Sequence, residues 1–372
     1  MRKIFSLFLI ITICSCCFPV KAAAVATSAQ GAIVINADTG RVIYADNAYT
    51  RLPMASTTKI MTALLLAEEN TPDKTIVTTK EMVTVEGSSM GLLAGDTVSY
   101  RDLLYGMLLA SGNDAANTTA IALSGSTEKF AEKMNKRAEK LGLENTHFVT
   151  PSGLHDDNHY TTAYDLARLA AFALTNEQFA EAAASKSARL YYGNPPYYRT
   201  LTNHNKLLNM YEGAVGVKTG YTKAAGRCLV SAAQRDGVTL VAVTLNDKND
   251  WQDHKELLDY GFENSKTVSC TPDIPETLAV VSEDNLSVKL KCDTVKVGIS
   301  LDDSLTYKVV LPQFVYPPLN EGDTVGFVEV LCGEKQVTTV NITADCEIKS
   351  NLADNNVYKN IFKQFLLLIR RI

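Results

Sequence analysis

Met54-Ala55-Ser56-Thr57-Thr58-Lys59-Ile60-Met61-Thr62-Ala63-Leu64-Leu65 is the stretch from which the rest of the chain can be read. It passes from small, capping-type residues into an apolar run, the pattern of a helix that begins at a polar end and is buried along its length. Ser56 in the first turn and Lys59 three residues on share one face, so the amine can reach the hydroxyl. A serine hydroxyl becomes a nucleophile when a base takes its proton, and a lysine kept neutral by burial or by another cation can be that base. The helix N-terminus adds backbone N–H groups and a positive dipole end suited to an oxyanion. The spacing by itself is common. Ser126-Thr127-Glu128-Lys129 repeats it and reads as an ordinary helix cap.

Two further motifs set Ser56 apart. Ser111-Gly112-Asn113 follows the helical stretch 103–110 in a glycine-containing loop, and Lys218-Thr219-Gly220 lies in a segment with strand character. Between them there is room for a helical lobe, predicted from helices near 60–69, 103–110, 115–123, 127–141 and 162–173. Residues 32–36 and 42–44 read as a hairpin around Asp38-Thr39-Gly40. Residues 216–222, 227–234 and 239–245 read as strands, and 251–262 as a closing helix. Strands at both ends with helices between them predict one α/β (α+β) domain over 25–265, its sheet completed by distant parts of the chain. From residue 266 the texture changes to short alternating segments punctuated by Asp302-Asp303, Pro317-Pro318 and Glu321-Gly322-Asp323. That is the pattern of a small all-β domain over 266–350.

The composition is compatible with this. The 372 residues are 46% hydrophobic and 21% charged, which excludes a disordered or collagen-like chain. The net charge of −5 becomes −8 without Arg2, Lys3 and Lys21, which argues against a nucleic-acid partner. Met1-Arg2-Lys3, the apolar run 4–20 and the small residues from Ala22 make up the three parts of a secretory signal over 1–24, so an exported protein is expected. A lipid-attachment reading of Ile13-Cys14-Ser15-Cys16 ranks behind it. At the other end, the helix predicted over 351–372 puts Ile361, Phe362, Phe365 and Ile369 on one half and Lys359, Lys363, Arg370 and Arg371 on the other. Such a helix lies in a membrane interface, here the outer face of the cell membrane, with docking on the protein itself as the alternative. Cys270, Cys292, Cys332 and Cys346 in the β domain allow three disulfide pairings or free thiols. No cysteine or histidine spacing suggests a metal site, and His147, His155, His159 and His204 are not needed for a site that has a lysine base. His159, just before Thr161-Thr162, is expected to order a turn near a helix start.

With these residues in this order, the chain resembles the D-alanyl-D-alanine carboxypeptidases, the low-molecular-mass penicillin-binding proteins. Ser-x-x-Lys, Ser-x-Asn and Lys-Thr-Gly form a signature that these proteins share with class A β-lactamases. The resemblance extends to Gly87-Ser88-Ser89-Met90-Gly91-Leu92, to residues 150–155 and 159–163, and to Asn203-His204-Asn205-Lys206. It implies a β-lactamase/transpeptidase-like fold and removal of the terminal D-alanine from peptidoglycan stem peptides. β-Lactams would be covalent inhibitors, and no cofactor is called for. By resemblance Ser56 is the acylated nucleophile, Lys59 its base, and Ser111 and Asn113 a proton relay and an amide contact. Lys218 and Thr219 of Lys218-Thr219-Gly220 hold the terminal carboxylate, and the backbone N–H groups of Ser56 and Tyr221 form the oxyanion hole. Relatives commonly carry an arginine beyond the strand after Lys-Thr-Gly, whereas residues 246–250 here contain only Lys248. The alternatives are a β-lactamase, which needs a carboxylate-activated water that Glu177, Glu181 and Glu212 do not obviously supply, and a silent penicillin-binding wall protein.

Overall fold

The computed structural model describes residues 25–281 and 286–349. Residues 1–24, expected to be an export signal, and 351–372, expected to be a tail helix, lie outside the described residues. Ala32-Ile33-Val34-Ile35 is apolar at every position because its strand, Gly31–Asn36, is buried on both faces. On one side it pairs with Val42–Asp46 and on the other with Val238–Leu245, some two hundred residues later in the chain. Gly226–Arg235 and Ala214–Thr222 complete a five-stranded antiparallel sheet. Alternate residues of a strand face opposite ways. Ile33, Ile35, Val230, Val241 and Val243 therefore join the core of the helical lobe. Ala32, Val34, Leu240 and Ala242 are covered instead by Leu257 and Leu258 of the helix Asp250–Glu263.

All residues of the helix Lys59–Ala67 are buried, so its apolar side chains hold the centre of the lobe. Burial of each large side chain such as Ile60 or Leu64 contributes about 1.5–3 kcal/mol. Tyr100–Leu108, Asn113–Ser124, Thr127–Lys140, Ala163–Ala173 and Glu177–Ala184 pack around it. Ser56 departs from expectation in one respect. It sits in a 3₁₀ turn, Ala55–Thr58, that leads into the helix. In such a turn residues three apart eclipse, which aligns Ser56 with Lys59.

A four-stranded sheet of Thr75–Val77, Thr97–Ser99, Ser187–Gly193 and Pro196–Thr202 was not anticipated. Two of its strands span three residues each, and Tyr191, Tyr197 and Tyr198 of its hairpin are exposed, so it has no long apolar alternation to detect. Beyond the helix Asp250–Glu263 the chain is all β. Ser265–Cys270 pairs with Val295–Ser300, and a six-stranded sheet runs in the order Leu305–Val310, Thr324–Cys332, Lys335–Ala344, Ser287–Cys292, Thr277–Val280, Phe314–Val315. The two sheet systems touch where Asn36 Nδ2 donates to Gly298 O at 3.0 Å and Thr267 Oγ1 donates to Asp236 O. Cys270, Cys292, Cys332 and Cys346 are free thiols, as is Cys228.

Candidate active site

The Ala55–Thr58 turn is pressed between two glycines. Gly153, at φ +85°, lies so close that a Cβ there would meet Ala55 O at 1.9 Å. Gly220 approaches from the strand Ala214–Thr222, where a Cβ would sit 3.1 Å from the backbone nitrogens of Ser56 and Thr57. Ala55 itself has φ +47°, a conformation rare for a residue with a side chain and held only when its surroundings enforce it.

Lys59 is fully buried, and its Nζ has three oxygen neighbours: Asn113 Oδ1 at 2.6 Å, Ser152 O at 2.8 Å and Ser56 Oγ at 3.0 Å. Burial drives its pKa well below the ordinary lysine value, and the nearby Lys218 charge lowers it further against the opposing pull of Asp114. A neutral amine has two protons and one lone pair. In the neutral form Asn113 Oδ1 and Ser152 O, which only accept, take the two protons and leave the lone pair to the Ser56 hydroxyl, whereas the ammonium donates to all three oxygens. Asn113 is held in that orientation because its Nδ2 donates to Glu86 O at 2.7 Å.

Ser56 opens onto a cavity of about 530 Å³, lined also by Ser88, Ser111, His204, Thr219, Gly220 and Tyr221. Ser111 is buried at φ +57°, a second strained backbone position beside the nucleophile. Lys218 is placed differently from Thr219. It is buried, is not on the cavity lining, and donates from Nζ to Thr219 O at 2.8 Å. Burial lowers its pKa to about 7. The sequence motifs thus converge, with Lys218, like Lys59 and Asn113, buried beside the cavity lining.

Lys206, which the sequence reading named only within a family-like stretch, extends the same cavity, as do Arg227, Asp250 and Trp251, which it did not single out as site residues. Arg227 stands opposite Tyr221 in the register of two adjacent strands and is gripped by Asp250 through Nη2 at 2.6 Å and Nε at 3.0 Å. The short link from Tyr221 to Arg227 was the available signal, since a hairpin brings its two arms into register. Asp250 is the one carboxylate among the described lining residues, and it is committed to Arg227. Glu181 bonds the Tyr105 hydroxyl at 2.8 Å instead, and neither Glu177 nor Glu212 lines the cavity. Ser126 caps its helix by accepting from Lys129 N at 3.2 Å. A Ser231–His254 pair is buried beneath the helix Asp250–Glu263, and burial holds that histidine down to about 3.

A serine hydroxyl 3.0 Å from a desolvated lysine amine, within an antiparallel sheet and helical lobe, defines a serine–lysine acyl-transfer enzyme. The D-alanyl-D-alanine carboxypeptidase family model matches residues 19–249. The chain belongs to that family and is a serine peptidase. It is 36% identical over 250 residues to the D-alanyl-D-alanine carboxypeptidase DacF of Bacillus subtilis, covering 65% of this chain and 64% of that protein. It is 33% identical over 335 residues to DacC of Escherichia coli, covering 83% and 81%. The solved Streptomyces K15 DD-transpeptidase matches with a TM-score of 0.61 at 36% identity, over 64% of this chain and 98% of that one. Penicillin-binding protein 5 from Haemophilus influenzae matches with a TM-score of 0.63 at 26% identity, over 87% and 98%, so its likeness includes the all-β part.

Proposed function

We propose that the chain removes the terminal D-alanine of peptidoglycan stem peptides through an acyl-enzyme on Ser56, with Lys59 as general base and β-lactams as covalent inhibitors. The observation that carries this is the fully buried Lys59 Nζ 3.0 Å from Ser56 Oγ, held there by Asn113 Oδ1 and Ser152 O. Ser56 Oγ attacks the carbonyl carbon of the scissile D-Ala-D-Ala bond as its proton passes to Lys59. The oxyanion is met by the backbone N–H groups of Ser56 and Tyr221, which the close approach of Gly220 to Ser56 N brings to one side. The C–N bond then breaks, and the leaving amine takes the proton from Lys59, with Ser111 beside the path. Water hydrolyses the ester. Asn113 both orients Lys59 and faces the substrate amide.

For the terminal carboxylate, Thr219 supplies a hydroxyl on the cavity wall and Arg227 a guanidinium pre-oriented by Asp250. Arg227 thereby takes the place of the arginine missing from residues 246–250. Lys218 adds positive potential from behind Thr219, and Gly220 and Tyr221 complete the wall. We assign the domains to 25–265 and 266–350, a division supported by the change of sheet at the strand Ser265–Cys270. We read 1–24 as an export signal and 351–372 as an amphipathic helix lying on the outer face of the cell membrane. Among the described residues no helix is long and apolar enough to cross a membrane.

The deciding experiment compares Ser56→Ala with Ser126→Ala, measuring D-alanine release from a peptide ending in D-Ala-D-Ala and covalent labelling by penicillin. Ser56→Ala loses both. Ser126→Ala keeps both and forfeits about 1 kcal/mol of stability from its cap. Labelling that survives Ser56→Ala would remove the assignment.

A further inference from the structure

His159 lies outside the cavity lining, yet it is buried and fully committed. Its Nδ1 accepts from Val149 N at 2.9 Å and from Thr150 N at 3.3 Å. Its Nε2 stands 2.7 Å from Thr58 Oγ1, and that hydroxyl also contacts Ala55 O at 2.8 Å. A carbonyl only accepts, so the single Thr58 proton goes to Ala55 O and Thr58 must accept from the ring. Two independent facts, the N–H groups facing Nδ1 and the carbonyl beyond Thr58, therefore assign the proton to Nε2. Burial pushes the His159 pKa down to about 4, with Asp156 opposing and His147 and His155 assisting. The ring is neutral at working pH, and the Phe148 ring packs against its edge with centroids 5.8 Å apart.

This ring joins two segments that meet at the reacting atoms. One is 149–153, whose Ser152 carbonyl takes a proton of Lys59 Nζ. The other is the Ala55–Thr58 turn, which carries Ser56 and the strained Ala55. We infer that His159, as the Nε2–H tautomer, is a positioning residue for Lys59, tying the Ser152 carbonyl to the turn of Ser56 through Thr58 so that the amine lone pair stays aimed at the hydroxyl. This rests on the reading of Lys59 as the base.

Pre-steady-state acylation by penicillin, followed against pH alongside thermal unfolding, tests the link. Thr58→Val removes the acceptor for Nε2–H. His159→Asn keeps an acceptor near the 149–150 amides but cannot reach Thr58. Each is expected to lower the acylation rate constant roughly tenfold, part of the about 10²–10⁴ that a positioned base supplies, with non-covalent affinity within about twofold. The double variant is expected to lose no more than the single variants, because both cut one connection. Thr58→Ser recovers most of the loss.

The acid limb of the rate profile adds a signature that mere destabilisation would not produce. Lys59 faces Lys218 and Asp114, which these variants leave in place. Weakening the Ser152 carbonyl contact withdraws an acceptor that favours the ammonium, so the limb moves to lower pH. The inference is overturned if folded Thr58→Val acylates at the parent rate with an unmoved limb, or if the rate falls only in step with the folded fraction. Lys59→Ala separates the two levels. Unimpaired acylation by Lys59→Ala would overturn the base assignment and this inference together, whereas an inactive Lys59→Ala beside a fully active Thr58→Val would overturn this inference alone. If His159→Asn does not fold, the Thr58→Val and Thr58→Ser pair separates the same outcomes.

Discussion

Lys218→Met makes the energetic cost of the site measurable. Burial takes the Lys218 pKa from 10.5 to about 7, so over that interval the unfolded chain holds a proton that the folded chain has released. Stability therefore rises with pH there, because the unfolded state binds more protons. At 1.36 kcal/mol per pH unit, the shift is worth about 5 kcal/mol at pH well below 7, opposing folding. Methionine has similar length and no titrating group, so it removes this dependence. Between pH 7 and pH 9 the parent protein is expected to gain about 2 kcal/mol relative to Lys218→Met, read from urea unfolding midpoints at each pH. The variant is the more stable protein at neutral pH and the worse enzyme. Losing the Lys218 charge lets the Lys59 pKa rise, so the acid limb of D-alanine release moves to higher pH. Parallel stability curves for the two proteins from pH 7 to 9 would refute the reasoning, since a solvated amine would titrate alike in both states.

Three other outcomes are expected. Penicillin should leave an acyl-enzyme that persists far longer than the peptide acyl-enzyme, because the one described carboxylate on the cavity wall, Asp250, is paired with Arg227; rapid repeated turnover of penicillin would instead indicate a β-lactamase. Arg227→Leu should raise KM for a peptide with a free C-terminal carboxylate by roughly tenfold or more, the worth of a charge-assisted hydrogen bond, and an equal effect on the C-terminal amide would count against a carboxylate contact. Deleting residues 355–372 should release the protein from membranes with activity on soluble peptide nearly unchanged, and replacing Lys359, Lys363, Arg370 and Arg371 by Gln should reduce the salt sensitivity of binding; a truncated protein still in the membrane fraction would place the anchor elsewhere.

Much of the first domain is legible in the sequence because its signals are local or periodic. The apolar 32–35 run, the helices around residues 60–173 and the 216–245 strands each carry their own hydrophobic pattern. Ser126 is separable from Ser56 because only Ser56 has the company of the two other motifs, and the structure leaves Ser126 as a cap. The four-stranded sheet is not legible, since its short strands and exposed tyrosines give no buried face to alternate against. Arg227 escapes a linear reading because its role comes from a cross-strand register and a partner 23 residues away, neither of which leaves a mark in a motif. The Lys-Thr-Gly motif assigns Lys218 to the cavity wall, whereas its side chain is buried with its amine bonded to Thr219 O.

What the sequence determined by itself is therefore the inventory: a serine and a lysine three residues apart, a second serine with an asparagine, and a Lys-Thr-Gly strand, in an order whose spacing leaves room for a helical lobe. Side-chain chemistry is local, so these residue types already define acyl transfer as the reaction. Whether the lysine can act as a base was decided only by tertiary structure. Two of its oxygen neighbours come from 54 and 93 residues away, and the burial and the Lys218 charge that lower its pKa arise when the strand Ala214–Thr222 closes against the turn of Ser56. A pKa is set by everything within a few ångströms, and that neighbourhood exists only once the chain has folded.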